Sequence, residues 1–188
     1  MAEARRWVEE AERAGVAQPD AMTLATASAD GDPSARMVLL KGIDDRGFVF
    51  FTNHGSRKGR DLAENPRAAL ILYWDSLRRQ LRATGTVERV SDEESDAYFA
   101  TRPYGSRIAA TVSRQSSPIP NRDALEQEYE RLDRQHAGGD VPRPEYWGGY
   151  RVVPATVEFW RGRDNRLHDR VRYTRQPDGS WSIERLAP

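Results

Sequence analysis

The sequence predicts a mainly β fold with peripheral helices (α+β), in which antiparallel strands close into a barrel of Greek-key-like order. Three observations carry this expectation. From Met22 onward, β-type runs alternate with turn residues: MTLATAS before Asp30-Gly31, ARMVLLKGI before Asp44-Asp45-Arg46-Gly47, and FVFFTN before His54-Gly55. That is the pattern of a hairpin meander. The strand–helix–strand alternation that builds parallel sheets is absent. About eight such runs occur in all, and closing them into a barrel leaves no long exposed edge.

In chain order, residues 2–14 have helical composition and stop at Gly15, a common C-terminal signal. The meander follows, and then Ser56 is placed to cap a helix running through Asp61, Leu62 and Ala63. AALILYW and QLRATGTVERV are strands. Ser91-Asp92-Glu93-Glu94 is a capping box, and its helix runs to Arg102 and stops before Pro103. A further helix is expected from Asp123 to about His136. YRVVPATVEFW, LHDRVRYTR and WSIERL complete the strands, while SSPIPN and AGGDVPRP read as loops. The 188 residues form one domain, 1–188, whose first 20 residues make an N-terminal helix and arm.

Composition excludes several function classes. With 29 basic and 29 acidic residues the formal net charge is zero, unlike nucleic-acid proteins driven by bulk charge. There is no cysteine, hence no disulfide, iron–sulfur cluster or thiolate metal site. His54, His136 and His168 lack metal-ligand spacing, so no metal is expected. The longest apolar run, residues 68–74, is far short of the ~20 needed to span a bilayer, and the charged N-terminus is not a signal peptide. A cytoplasmic protein without nucleic-acid or membrane partners is expected. Only Lys41 and Lys58 among the basic residues are lysines.

Some charges stand in unexpected places. Arg57, Lys58 and Arg60 fall in the first turn of a helix, where the dipole favours anions. Free N–H groups with cations beside them suit a phosphate. In the strand of residues 36–41, Arg36, Val38 and Leu40 share one face while Met37, Leu39 and Lys41 share the other. Both faces are apolar apart from one cation each, so burial on both sides is expected, with the cations paired to an internal carboxylate or to a ligand phosphate. Asp164-Asn165 reads as a turn, and in the strand expected after it period two places Arg166, His168 and Arg170 on one face, a spacing that by itself favours a solvated exterior. Arg102, four residues after Tyr98, suits a helix C-terminus. No nucleophile elbow or P-loop occurs, which leaves redox chemistry on a bound cofactor as a natural option.

The segments RMVLLK, FFTNHGSRKGRDLAENPRAAL, RRQLRATGTVERVS, YFATRPYGS, VSRQSS, WGGYRV, EFWRGRDNRLHDR and the ending ERLAP together resemble the pyridoxamine 5'-phosphate oxidase family, in order and with compatible spacing. The resemblance implies a homodimeric split β-barrel with FMN at the dimer interface. It implies oxidation of pyridoxamine or pyridoxine 5'-phosphate to pyridoxal 5'-phosphate, by hydride transfer from C4' to flavin N5 and reoxidation by O2 to hydrogen peroxide. FMN contacts would come from Arg36, Met37, Val38, Leu39, Leu40, Lys41, Phe51, Thr52, Arg57, Lys58, Gln80, Gln115, Ser116, Trp160 and Arg170. Lys41, Tyr98, Arg102 and Ser106 would hold the substrate phosphate, while Arg166, Leu167 and His168 would flank its ring, Arg166 and His168 being the catalytic pair. This reassigns Arg102 and the 166–170 stripe from surface charges to ligands. The chain departs from the family at Arg107, Ala109 and Thr111, where Gln, Gly and Trp are usual, and has a short N-terminus. A flavin oxidase of the phenazine-biosynthesis type and a non-catalytic flavin or B6-phosphate binding protein are the alternatives.

Overall fold

Alternation along the strands decides which side of the sheet becomes the core. The structure is a computed structural model that describes residues 1–188. In β1 (Ala21–Ala27) every second residue is buried, and Met22 and Leu24 have no exposed surface. The same alternation in β5 (Arg67–Trp74) and β6 (Arg79–Arg89) turns Leu70, Leu72, Trp74 and Leu81 inward to meet Phe48 and Phe50 of β4 (Phe48–Asn53). The remaining strands are β2 (Pro33–Leu39), β3 (Gly42–Ile43), β7 (Trp147–Arg161), β8 (Asp169–Arg175) and β9 (Trp181–Arg185). All pairings are antiparallel, in the order β2-β1-β5-β6-β7-β4-β3, with β8 and β9 added beside β7. The sheet curls so that β2 also meets β4, giving the expected split barrel.

Five helices lie on this barrel. In α1 (Ala2–Arg13) the face Ala4, Trp7 and Ala11 is buried, with Trp7 edge-on to Trp74 and Phe159. Then come α2 (Arg57–Glu64), α3 (Asp92–Ala100), α4 (Tyr104–Val112) and α5 (Arg122–His136). Ser56, Ser91 and Asn121 cap α2, α3 and α5 through side-chain oxygens that accept N–H groups of the first turn. The sequence does not announce α4: its N-cap is Pro103, with no capping side chain, and its stability comes from packing Ile108 against Leu132 of α5 and Val141. No helix is long and apolar enough to cross a membrane.

Three expectations change. The run ARMVLLKGI is two strands, because the chain leaves β2 after Leu39 and resumes as β3 to pair with β4. β2 is not buried on both faces: as the last strand of the ladder it leaves Met37 61% and Leu39 38% exposed. Arg166, Leu167 and His168 are not in a strand either. Asn165 and Arg166 take positive φ values of 55° and 60° in a short turn, and β8 begins at Asp169. The period-two stripe therefore does not form, since a left-handed turn breaks the alternation it assumes.

Candidate active site

Where β4 hands the chain to α2, the backbone is tightly constrained. The Asn53 side chain accepts the Gly55 N–H at 2.7 Å and donates to the Ser113 carbonyl at 2.9 Å. Gly59 packs so closely on the previous turn that a Cβ there would lie 2.1 Å from the His54 carbonyl oxygen. This junction directs Lys58 inward, where it is only 7% exposed. Its ammonium donates to Gln115 Oε1 at 2.8 Å, Thr52 Oγ1 at 3.3 Å and Ser56 Oγ at 3.4 Å. No carboxylate pairs with it. Burial, with Arg36 nearby, pushes its pKa down to about 8. The Arg57 backbone N–H donates to Ser116 Oγ at 3.1 Å, so residues 115 and 116 lie across the helix start.

Beside this cluster a cleft of about 330 Å³ opens between β2, β4, α3, α4 and the start of β7. Its aromatic wall is a parallel stack in which Phe51 lies 4.0 Å from Tyr98 and 5.6 Å from Trp147, ring centre to ring centre. Gly149 makes room for it, because a Cβ there would come within 2.8 Å of the Phe51 ring. Arg102 leaves the end of α3 and lays its guanidinium over Trp147, 4.7 Å from the ring centre. Its Nη1 is buried without a hydrogen-bond partner, and burial lowers its pKa. Lys41, at the rim, pairs with Asp20 at 2.7 Å. Val38, Leu39, Thr52 and Gln115 also line the cleft. Ser106 sits one turn before Ala109 and Ala110, the part of α4 that lines it.

A second group lies elsewhere. Gln80, Trp160 and Arg170 are cross-strand neighbours on β6, β7 and β8. The His168 ring lies 4.7 Å from that of Trp160, and its Nδ1 accepts the Arg163 N–H at 3.1 Å, which leaves Nε2 as the free ring position. Arg170 is held by Glu158 at 2.8 Å and by the Ala187 carbonyl at 2.9 Å. Trp147 and Trp160 stand near opposite ends of the fifteen-residue β7, roughly 43 Å apart along the strand at ~3.3 Å per residue. One chain does not join the two groups in one pocket. The outer face that bears the second group also exposes Met37, Leu39, Ile71 and Tyr73 on strands β2 and β5, large apolar side chains of the kind that mark an interface.

Asp20, Asn53, Ala110 and Ser113 also border the site without being singled out by the sequence, and Ala109 and Trp147, which the sequence marks only as a departure from the family and as part of a shared segment, line the cleft. Trp147 had a signal, the two glycines after it, since glycine within a strand marks close approach. The others act through contacts distant in sequence.

Residues 8–136 match the model of the pyridoxamine 5'-phosphate oxidase family, and residues 147–188 match that of the pyridoxine 5'-phosphate oxidase C-terminal dimerisation region. The chain is 60% identical over 188 residues to a pyridoxine/pyridoxamine 5'-phosphate oxidase of Cupriavidus necator, covering all of this chain and 88% of that protein. It is 58% identical over 183 residues to one of Rubrobacter xylanophilus, covering 97% and 84%. Among solved structures, PhzG from Burkholderia lata 383 in complex with tetrahydrophenazine-1-carboxylic acid is 35% identical with a TM-score of 0.95, covering 100% of this chain and 91% of that one. An FMN-binding protein of Nostoc punctiforme, 18% identical with a TM-score of 0.80 over 99% and 96% of the chains, shares the fold. With both of its segments matched in order and its full length covered at this identity, the chain belongs to the pyridoxine/pyridoxamine 5'-phosphate oxidase family.

Proposed function

We propose that this protein oxidises pyridoxamine or pyridoxine 5'-phosphate to pyridoxal 5'-phosphate with FMN as its cofactor, in a site completed by a second copy of the chain. The observation that carries this is a pair of cations without carboxylates at one aromatic-walled cleft: Arg102, half-buried in its wall with Nη1 buried and unpartnered, and Lys58, buried behind the lining residues Thr52 and Gln115. A buried charge left unpaired is costly, and two such positions suit two phosphorylated partners.

The residues fit a phosphorylated flavin at the start of α2. Lys58, Arg57, Arg36 and Ser116 would hold the phosphate, and Met37, Val38, Leu39, Leu40, Lys41, Phe51, Thr52 and Gln115 would line the rest. Gln80, Trp160 and Arg170 would come from the partner, which brings the distant group to the cleft. FMN, when bound, supplies the two-electron acceptor that passes its electrons to oxygen as hydrogen peroxide. Arg102, Tyr98, Lys41 and Ser106 would anchor the substrate phosphate, and for Lys41 this means exchanging Asp20 for the ligand. The partner's copies of Arg166 and His168 would then set the substrate ring, with the imidazole Nε2 available to a polar ring substituent. The chemical contribution of these groups is positioning, which holds the reacting atoms at bonding distance.

The test is anaerobic reduction. Pyridoxamine 5'-phosphate should bleach the flavin absorbance of the yellow holoprotein, and admitted oxygen should restore it with release of peroxide. Failure of both B6 phosphates to bleach it would sink the proposal. A tricyclic substrate is the second reading, favoured by the closeness in fold to the PhzG complex; bleaching by tetrahydrophenazine-1-carboxylic acid alone would select it.

A further inference from the structure

Only one carboxylate lies within ion-pair reach of the cations around the first turn of α2. Asp61, one turn further on and 4% exposed, faces β1 and β2. Its Oδ1 accepts from Arg57 Nε at 3.3 Å. Its Oδ2 accepts from the Thr26 hydroxyl at 2.6 Å and lies 3.8 Å from Arg36 Nη2. The Thr26 oxygen in turn accepts from Arg36 Nη1 at 2.8 Å. One carboxylate thus bonds Arg57 directly and reaches Arg36 through the Thr26 hydroxyl, while Arg36 also donates to Ser34 Oγ at 2.6 Å and to the Leu24 carbonyl at 3.2 Å. Arg60 stays outside this arrangement, donating to the Gly55 carbonyl from an exposed position.

We propose that Asp61 is a positioning residue for the cofactor's phosphate, fixing Arg36 and Arg57 while trimming the local charge to that of a phosphate monoester. The inference rests on the FMN reading above. Arg36, Arg57 and Lys58 against Asp61 leave two positive charges, and a phosphate monoester carries about −1.5 to −2 at pH 7. Without Asp61, three cations would repel one another, Arg57 would lose its carboxylate acceptor, and Arg36, still bonded to Ser34 and Leu24, would lose the counter-charge beside it and the anchor of the Thr26 hydroxyl. Nothing about Asp61 suggests direct contact with the ligand, because its two oxygens already accept from Thr26 and Arg57, with Arg36 3.8 Å away.

Quenching of flavin fluorescence on titration of the apoprotein, with FMN and with riboflavin, tests this. Asp61→Asn should weaken FMN binding about tenfold or more, the loss expected from one disordered charge-assisted contact. Its affinity for riboflavin, which has no phosphate, should not change. Tighter FMN binding would mean that Asp61 acts only by opposing the anion's charge, and parallel loss of FMN and riboflavin would mean that it serves only the fold. Either result overturns the proposal, as does unchanged FMN affinity. Should Asp61→Asn fail to fold, Thr26→Val removes the shared hydroxyl while keeping every charge, and must show the same FMN-selective loss. Wild-type apoprotein that bound no FMN would instead refute the cofactor reading itself.

Discussion

Lys58 concentrates the tension between folding and binding in one side chain. Its pKa is pushed down to about 8 from 10.5 by burial, so the unfolded chain holds a proton there that the folded apoprotein gives up. Because the unfolded state binds more protons between those values, apoprotein stability should rise as pH increases from about 8 towards 10.5, by on the order of 3 kcal/mol. Lys58→Met should lack that rise, which urea unfolding of both proteins at the two ends of the range would reveal. FMN affinity should move the other way, falling as pH passes 8 and the ammonium that meets the phosphate is lost. In Lys58→Met the affinity should be low at every pH, and a variant that bound FMN normally would remove this residue from the phosphate site. For the ring-flanking pair, Arg166→Ala should slow turnover while the flavin stays bound, read as the rate of anaerobic bleaching against the absorbance of the purified protein. His54 belongs to a different class: burial lowers its pKa to about 4. It takes up a proton near 6.5 in the unfolded chain but only near 4 in the folded one, so stability should fall as pH drops from 6.5 to 4, and His54→Phe should flatten that slope.

At the scale of elements, the β4–α2 junction decides whether a site exists at all. Gly59→Ala would force the helix away from the His54 carbonyl, and the expected outcome is a lowered melting temperature together with loss of flavin, since Arg57 and Lys58 move with α2. A variant as stable and as yellow as the wild type would show that the junction can give. This element was legible in advance: Ser56 as cap and cations in the first turn are local signals, and the structure shows both. The turn near residues 164–166 was legible in part: Asp164-Asn165 reads as a turn and forms one, but Arg166, also left-handed, counts as a strand residue in a period-two pattern. Not legible was α4, which no capping residue marks and whose buried face finds its partners in α5 and at Val141.

For the whole molecule the central matter is the proposal that the two ends of β7 serve one site across a dimer. If each site takes Lys58 from one copy and Arg170 from its partner, Lys58→Ala and Arg170→Ala dimers should each bind FMN poorly. Refolded together in equal amounts they should recover about a quarter of the wild-type sites, since half the dimers are mixed and each mixed dimer has one intact site of two. A site built within one chain would show no recovery on mixing. The exposed Met37, Leu39, Ile71 and Tyr73 lie on the face that such a dimer would cover. Ile71→Glu should therefore give monomers by sedimentation and lose flavin with them.

The sequence by itself determined the antiparallel barrel, the capped helices and the conspicuous pair of lysines, because these rest on periodicity, turn residues and capping, which act over a few residues. It also carried the family, through segments spread over nearly the whole chain. Folding alone buries Lys58 and half-buries Arg102 with no carboxylate on either, sets Asp61 between Arg57 of α2 and Arg36 of β2, and holds Trp147 and Trp160 near opposite ends of one strand. The physical reason is that desolvation and charge pairing depend on neighbours brought together by folding. Arg36 lies 25 positions from Asp61 in the chain yet within 3.8 Å of it in the fold.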